Sequence, residues 1–292
     1  MNKLLLTYEP AIRLGAFAGI FAAMALWEVL APRRAQAIGR LQRWPGNLSI
    51  VVLYSVLVRL VFPIAAVGVA LYADTQHWGL LNALHTPAWL AFIASVLLLD
   101  LAIYLQHVLL HAVPGLWRLH RMHHTDLEFD LTTGVRFHPV EILLSMVFKL
   151  GVIAALGAPA VAVLIFEVVL NATSLFNHGN VRLLQRLDGA LRWVLVTPDM
   201  HRVHHSWYPN ETNSNFGFNL SWWDRLFGTY RAQPRDGHLG MTIGINQFRE
   251  PRELRLDRML WQPFHGPVNS YPINVRQENP ASTEDFDAFG KS

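Results

Sequence analysis

The 292-residue chain contains no cysteine. Disulfides, thiolate zinc sites and cysteine-ligated iron–sulfur clusters are therefore excluded, which leaves histidine as the available soft nitrogen ligand. Charge is also scarce. Asp, Glu, Lys and Arg make up 15% of the residues, against about 25% in an ordinary soluble domain, and the deficit falls mainly ahead of residue 175. No Gly-rich dinucleotide fingerprint and no haem-binding module is visible, so any electrons must come from a separate protein. The net charge of +3 and the pI near 9.4 could suit nucleic acid. However, the arginines are scattered through loops and the C-terminal region without a basic stripe interleaved with aromatics, which argues against that partner.

What the chain does have is apolar runs and histidines. Four apolar blocks stand out: Leu14–Ala31; Leu48–Ala73, interrupted by Arg59 and Pro63; Ala88–Leu105, containing Asp100; and Ile142–Phe176, broken at Gly157-Ala158-Pro159. A spanning helix needs about 20 apolar residues, so the fourth block is long enough for two helices turning at the Gly-Ala-Pro break. The expectation is an all-α, integral membrane bundle of about four to five spanning or embedded helices. Lys3 ahead of an apolar run resembles a signal peptide, but the run is long and Arg33-Arg34 follows, which reads as a retained membrane helix.

Basic residues assign the faces. Arg33, Arg34, Arg40 and Arg43 follow block one, and Arg118, Arg121 and Arg136 follow block three, whereas the loop 74–87 and the Gly157–Pro159 turn hold none. The alternation expects every histidine cluster in a cytosolic cap, with Lys3 and Arg13 as mild dissent. The expected organisation is N-terminal membrane helices over 1–87, a histidine-box domain over 88–235, and a cytosolic extension over 236–292. The stretch from Gly266, rich in Pro, Asn and Ser, is expected to be a poorly ordered tail.

A five-residue phrase occurs twice: His120-Arg121-Met122-His123-His124 and His201-Arg202-Val203-His204-His205. His107 and His111, four apart, share one helix face just upstream. Within each phrase, i, i+3, i+4 spacing projects three nitrogens to one side. Thr197-Pro198-Asp199 is a clean helix start for the second copy. Eight imidazoles in three spaced clusters point to metal, and exceed what one ion takes, so two ions are expected. No Glu-x-x-His pair offers carboxylate bridges, and no His-Glu-x-x-His places a base beside the ligands. An all-nitrogen binuclear site suits iron and oxygen chemistry better than hydrolysis. A zinc-dependent membrane hydrolase and a metal transporter are the rival readings, and zinc can displace iron on purification because nitrogen sites bind it more tightly.

Asp100, seven residues before His107 and on the same face, is a buried carboxylate in need of a partner. It either hydrogen-bonds a ligand imidazole or packs helices through another polar side chain. The arginines Arg118, Arg121 and Arg202 either guide an acidic electron donor or meet lipid phosphates and nearby carboxylates. Trp222, Trp223 and Tyr230 are expected to belt the interface or pack the cap, and Asp224 to support the site. His77, His85, His238 and His265 fall outside the clusters and are read as structural or surface residues.

The pattern extends to Arg136-Phe137-His138-Pro139-Val140-Glu141, Asn177-His178-Gly179-Asn180 and Trp223-Asp224-Arg225-Leu226-Phe227-Gly228-Thr229-Tyr230. Taken in order over roughly residues 90–230, these phrases resemble the fatty acid hydroxylase/sterol desaturase superfamily of membrane non-haem di-iron oxidases. The resemblance implies two irons, O2 as co-substrate, a lipid or sterol substrate, and a ferredoxin, cytochrome or reductase as donor. It implies that His107, His111, His120, His123, His124, His201, His204 and His205 are ligands, with His178 as a ninth. Some relatives carry a further histidine where this chain has Ser174, so the set here is smaller or completed by water. Asp100, His138, Glu141, Asn180 and Asp224 are the expected supports around the ligands. For His138, a hydrogen bond to Glu141 or to the backbone is the alternative to ligation.

Overall fold

In hydrocarbon a backbone must satisfy its own N–H and C=O groups, so long apolar runs fold as helices. The computed structural model describes residues 2–274. Among the described residues it is all-α, with three isolated bridges and no strand. In chain order the elements that shape the molecule are α1 (Asn2–Leu30), α2 (Arg40–Val61), α3 (Ala66–Thr75), α4 (Leu80–Ala83) and α5 (Ala88–Ala112). They are followed by α6 (Pro114–His124), α7 (Pro139–Leu156), α8 (Ala160–Asn177), α9 (Gln185–Leu191) and α10 (Pro198–His204). Five stretches are long and apolar enough to cross a membrane: Thr7–Leu30, Arg40–Ala83, Ala88–Ala112, Pro139–Leu156 and Ala160–Asn177.

Proline and glycine set the joints. Pro63 lies in the gap between α2 and α3, where its missing N–H cannot continue a helix. The expected turn in the last apolar block is present: α7 ends at Gly157, whose φ of 67° is left-handed, and Pro159 precedes α8. A Cβ on Gly157 would lie 2.4 Å from the Trp78 carbonyl oxygen, so only glycine fits.

Lipid tails are as apolar as leucine, so membrane helices associate through close packing rather than water exclusion. The inner core accordingly mixes small and large residues, with Ala66, Val67 and Ala70 of α3 against Leu99, Ile153, Val163 and Phe166. Leu14, Leu60, Trp89 and Val147 are exposed, and give the bundle a greasy exterior.

The cap is held differently. Arg43 of α2 is fully buried and grips both oxygens of Asp126 at 2.8 Å, with a third bond to Asp130 at 2.6 Å. Asn47 donates to Asp126 and Thr132. Arg136 donates to Asn47, Thr125 and the Met122 carbonyl. Burial works against the Asp126 charge, but the Arg43 guanidinium more than offsets it and holds the carboxyl well below the usual range. This network fastens the segment between α6 and α7 to the membrane helix α2.

Two expectations change here. Arg121 and Arg202 are both fully buried: Arg202 meets a nearby carboxylate, one of the roles expected of it, whereas Arg121 meets backbone carbonyls. Arg121 donates to the carbonyls of Gln262, His265 and Pro267; Arg202 pairs with Asp199 and donates to the Gly179 carbonyl. A guanidinium with five donors can saturate several carbonyls at once, which suits it to stapling segments. Nor is the chain from Gly266 a loose tail as far as Asn274. Tyr271 is buried, its hydroxyl donates to the Trp207 carbonyl, and Ile273 N–H bonds the His111 carbonyl. The remainder of the expected tail, 275–292, lies outside the described residues.

Candidate metal centre

Pro114 follows the C-cap of α5 and occupies the first turn of α6, so two helices meet at a sharp joint beside the first phrase. The second phrase begins as the sequence suggests: Thr197 accepts from the Met200 N–H at 3.3 Å, with Pro198 and Asp199 in the first turn. His178 caps the C-terminus of α8.

These elements bring nine imidazoles together in two groups. His107, His111, His120, His124 and His204 form one; His123, His178, His201 and His205 form the other. Within each group, one nitrogen per ring lies within 4.8 Å of the rest. The groups adjoin, since the His124 and His205 rings stack at 4.6 Å. The phrases are not assigned one to each group. The first sends His120 and His124 to the five-membered group and His123 to the other; the second sends His204 to the five-membered group, and His201 and His205 to the other.

The donor set fits a cation. All nine rings are buried. Nε2 atoms face one another at 3.1 Å (His107–His120), 3.2 Å (His111–His124), 3.3 Å (His123–His178) and 3.1 Å (His178–His201). Among the described residues the Nε2 atoms of His204 and His205 have no hydrogen-bond partner, a costly state for a buried polar atom unless something else satisfies it. Burial pushes His178 down to about 3. Burial and neighbouring imidazoles hold His123, His124, His201 and His205 well below the usual value, and burial does so chiefly for His204. Neutral rings with inward lone pairs are what a transition metal needs.

Several outer nitrogens are fixed. His120 Nδ1 bonds Glu141 Oε1 at 2.7 Å, which places this carboxylate directly against the imidazoles. His107 Nδ1 bonds the Phe216 carbonyl at 2.7 Å, His204 Nδ1 the Ser214 carbonyl at 2.7 Å, and His178 Nδ1 the Ser174 carbonyl at 2.8 Å. His111 Nδ1 is 3.1 Å from Asn213 Oδ1. Such bonds select the tautomer and aim the other nitrogen inward. Sequence reasoning missed Asn213, Ser214 and Phe216, because two of the three act through backbone carbonyls that any residue carries. The asparagine-rich stretch 213–219 was the available signal. Ser174 contributes its carbonyl, while its hydroxyl donates to the Gly134 carbonyl.

Three expected supports do other work. Asp100 hydrogen-bonds no imidazole among the described residues: its Oδ2 accepts from Trp223 Nε1 at 2.8 Å and the Leu220 N–H at 3.2 Å, which ties the Trp-Trp-Asp turn to α5. His138 caps α7 by accepting from the Val140 N–H, and its Nε2 faces the Leu260 carbonyl. Asn180 clasps the linker after α1, exchanging bonds with the Arg34 backbone. Backbone groups take His138 and Asn180, and an indole N–H with a backbone N–H takes Asp100. Asp224 acts at one remove, accepting from the Phe216 and Gly217 N–H groups and the Thr229 hydroxyl, so it stiffens the loop whose carbonyl holds His107. Burial raises its carboxyl to about 6.

A cavity of about 700 Å³ reaches this centre, lined there by His107, His120, Glu141 and Phe218 and elsewhere largely by apolar side chains of α1, α2, α5 and α7.

Residues 92–229 match the sequence profile of the family described as fatty acid hydroxylase. The chain is 30% identical over 179 residues to the alkylglycerol monooxygenase of Xenopus tropicalis, covering 60% of this chain and 38% of that protein. It is 32% identical over 177 residues to the ornithine lipid hydroxylase OlsE of Rhizobium tropici, covering 60% and 51%. With the cholesterol 25-hydroxylase of Rattus norvegicus it shares 29% identity over 157 residues, covering 49% and 48%. The chain thus spans about half or less of the length of these relatives. No solved structure matches it.

Proposed function

Since the chain, through residues 92–229, belongs to the fatty acid hydroxylase superfamily, we propose that it is a membrane oxygenase that hydroxylates, or desaturates, a lipid C–H bond with O2. The observation that carries this reading is the adjoining pair of buried imidazole groups, one of which, through His107 and His120, opens on an apolar cavity large enough for part of a lipid chain. The relatives named for alkylglycerol, ornithine lipid and cholesterol are in keeping with an aliphatic substrate.

In this reading His107, His111, His120, His124 and His204 hold one iron, and His123, His178, His201 and His205 hold the second. When bound, the irons supply O2 activation and the one-electron steps that imidazole cannot perform. The chain's own contribution is positional. Glu141 keeps the His120 proton on Nδ1, and the carbonyls of Ser174, Ser214 and Phe216 do the same for His178, His204 and His107. Phe137, stacked on His123 at 4.6 Å, helps to keep water from the rings. The apolar cavity wall holds one carbon of the substrate beside them, a pre-organisation that a solvated site would lose. Two electrons come from a separate ferredoxin, cytochrome or reductase. The arginine-rich linker 33–43 argues for a cap on the cytoplasmic face. The groups lie at and beyond helix ends, which favours chemistry there over passage of a metal through the bilayer midplane.

The test is comparative lipidomics of cells with and without the gene, under air and under nitrogen. A lipid that gains one oxygen or loses two hydrogens, only in air and only with His123 intact, is expected. Turnover that persists without O2 would sink the oxygenase in favour of a hydrolase.

A further inference from the structure

The cavity has a second, charged region that the proposed chemistry does not use. Arg13 of α1, Arg59 of α2 and Lys149 of α7 line it, with Glu9 and Glu167. All five lie in stretches apolar enough to span a membrane, where a charge is expensive and usually marks a pathway or a ligand. Arg13 bridges Glu9 at 2.9 Å and Glu167 at 3.0 Å, and Lys149 pairs with Glu167. The carboxylates are the hidden partners, with side chains 8% and 1% exposed; the cations are more open, at 31% for Arg13 and 15% for Lys149. Arg59 is exposed and makes no hydrogen bond or ion pair among the described residues. Three cations against two carboxylates leave one positive charge over, in a low-dielectric region where an unpaired charge is poorly tolerated.

Resting on the lipid-substrate reading above, we infer that Arg13, Arg59 and Lys149 anchor an anionic head group, carboxylate or phosphate, of the lipid whose chain extends along the cavity to the imidazoles. The leftover charge supplies the attraction, and the unused N–H groups of the guanidinium and ammonium supply the directional bonds. Lys149 is eight residues past Glu141 on the same helix, about 12 Å along the axis. Arg59 is twelve residues past Asn47 on α2, about 18 Å along that helix. A head group held at that distance acts as a ruler, so the oxidised position is set by how far down the chain the imidazole groups lie.

The experiment measures binding of palmitate, hexadecyl phosphate and hexadecanol, three probes with the same chain, to the metal-loaded full-length protein in nanodiscs. At least one anion is expected to bind at least tenfold more tightly than the alcohol, and the tighter anion identifies the head group. Arg59→Gln and Lys149→Met should each shrink that preference severalfold. Arg59 has no partner to strand, so its variant remains informative if loss of Lys149 harms folding. Equal binding of the three probes, or a preference intact in both variants, overturns the anchor. In cells, Arg59→Gln should spread the new oxygen over neighbouring carbons, whereas a purely structural role would lower yield without moving it. Because the binding measurement needs no turnover, the two readings fail separately. Anion preference in a protein that oxidises no lipid would sink the oxygenase alone; oxidation without anion preference would sink the anchor alone.

Discussion

The two copies of His-Arg-x-His-His have the same spacing and opposite allegiances. In the first copy the outer pair, His120 and His124, joins the five-membered group and the middle His123 leaves it. In the second the outer pair, His201 and His205, joins the four-membered group and His204 crosses over. Helix geometry explains the division within a copy. At about 100° per residue, i+4 sits about 40° from i on one side and i+3 about 60° on the other, so a cluster of three rings parts naturally into two and one. The fold then sets α6 and α10 so that the parts interlock. Neither group can form from one copy alone, which makes the centre a clasp between chain segments 81 positions apart. His107 and His111 complete one side of it and His178 the other.

The copies also differ in what stands behind them. His120 leans on a carboxylate side chain, Glu141, whereas His204 leans on the Ser214 backbone carbonyl. Arg121 gathers the C-terminal segment 262–267, while Arg202 joins Asp199, which in turn pairs with Arg33 of the linker after α1. One copy fastens the end of the described chain, the other its beginning.

The strongest way to break the comparison is at the ligands. His120→Ala and His204→Ala, in different copies but one group, should each cut lipid oxidation to below about one-hundredth, since loss of even an outer-nitrogen partner costs 10–100-fold. Metal analysis should show non-additive losses for that pair and near-additive losses for His120→Ala with His123→Ala, which share a copy but not a group. The reverse pattern would mean that each phrase serves its own ion.

Behind the ligands the asymmetry is testable with one side chain. Glu141→Gln should lower activity or iron affinity about 10–100-fold, while Ser214→Ala, which keeps the carbonyl, should leave both nearly unchanged. Equal losses would remove the distinction between the copies.

A third test titrates both copies together. The imidazoles His123, His124, His178, His201, His204 and His205 have folded values below the unfolded value of about 6.5. Below that pH the unfolded chain binds more protons than the folded one, so stability falls as acidity rises. The melting temperature in detergent should therefore drop between pH 7.5 and 5.5, with and without chelator; a flat profile would contradict burial of these rings. The smallest effect belongs to His138. As a helix cap outside both groups, His138→Ala should cost about 1 kcal/mol in denaturant stability and leave metal content alone.

Much of this was legible in the chain. Apolar runs marked the spanning helices, and Gly157 and Pro159 marked their turn, because glycine and proline act on the backbone locally. The eight clustered histidines were legible because so many imidazoles at helical spacing point to a metal, whereas His178 was legible only through the family resemblance of the phrase around it. Glu141 was legible only as part of the 136–141 phrase that carries the family resemblance. Asp100 and Asn180 misled because a lone polar residue does not say which of many distant donors will reach it. Arg202 meets the nearby carboxylate that one reading expected, but Arg121 misled because arginine on a basic membrane face usually stays in solvent, and here it saturates carbonyls brought in from afar.

Composition and spacing alone account for the donor inventory: histidine without cysteine, a helical bundle with greasy walls, and two phrases able to present three rings each. Which rings meet depends on the packing of the helices. Spacing defines neighbours on a single helix surface, but the partition of nine imidazoles, and the carbonyls that aim them, depends on where α5, α6, α8 and α10 cross. That arrangement rests on the local Pro114 joint between α5 and α6 together with the buried Arg43–Asp126 clasp and the α3 packing, contacts between residues far apart in the chain.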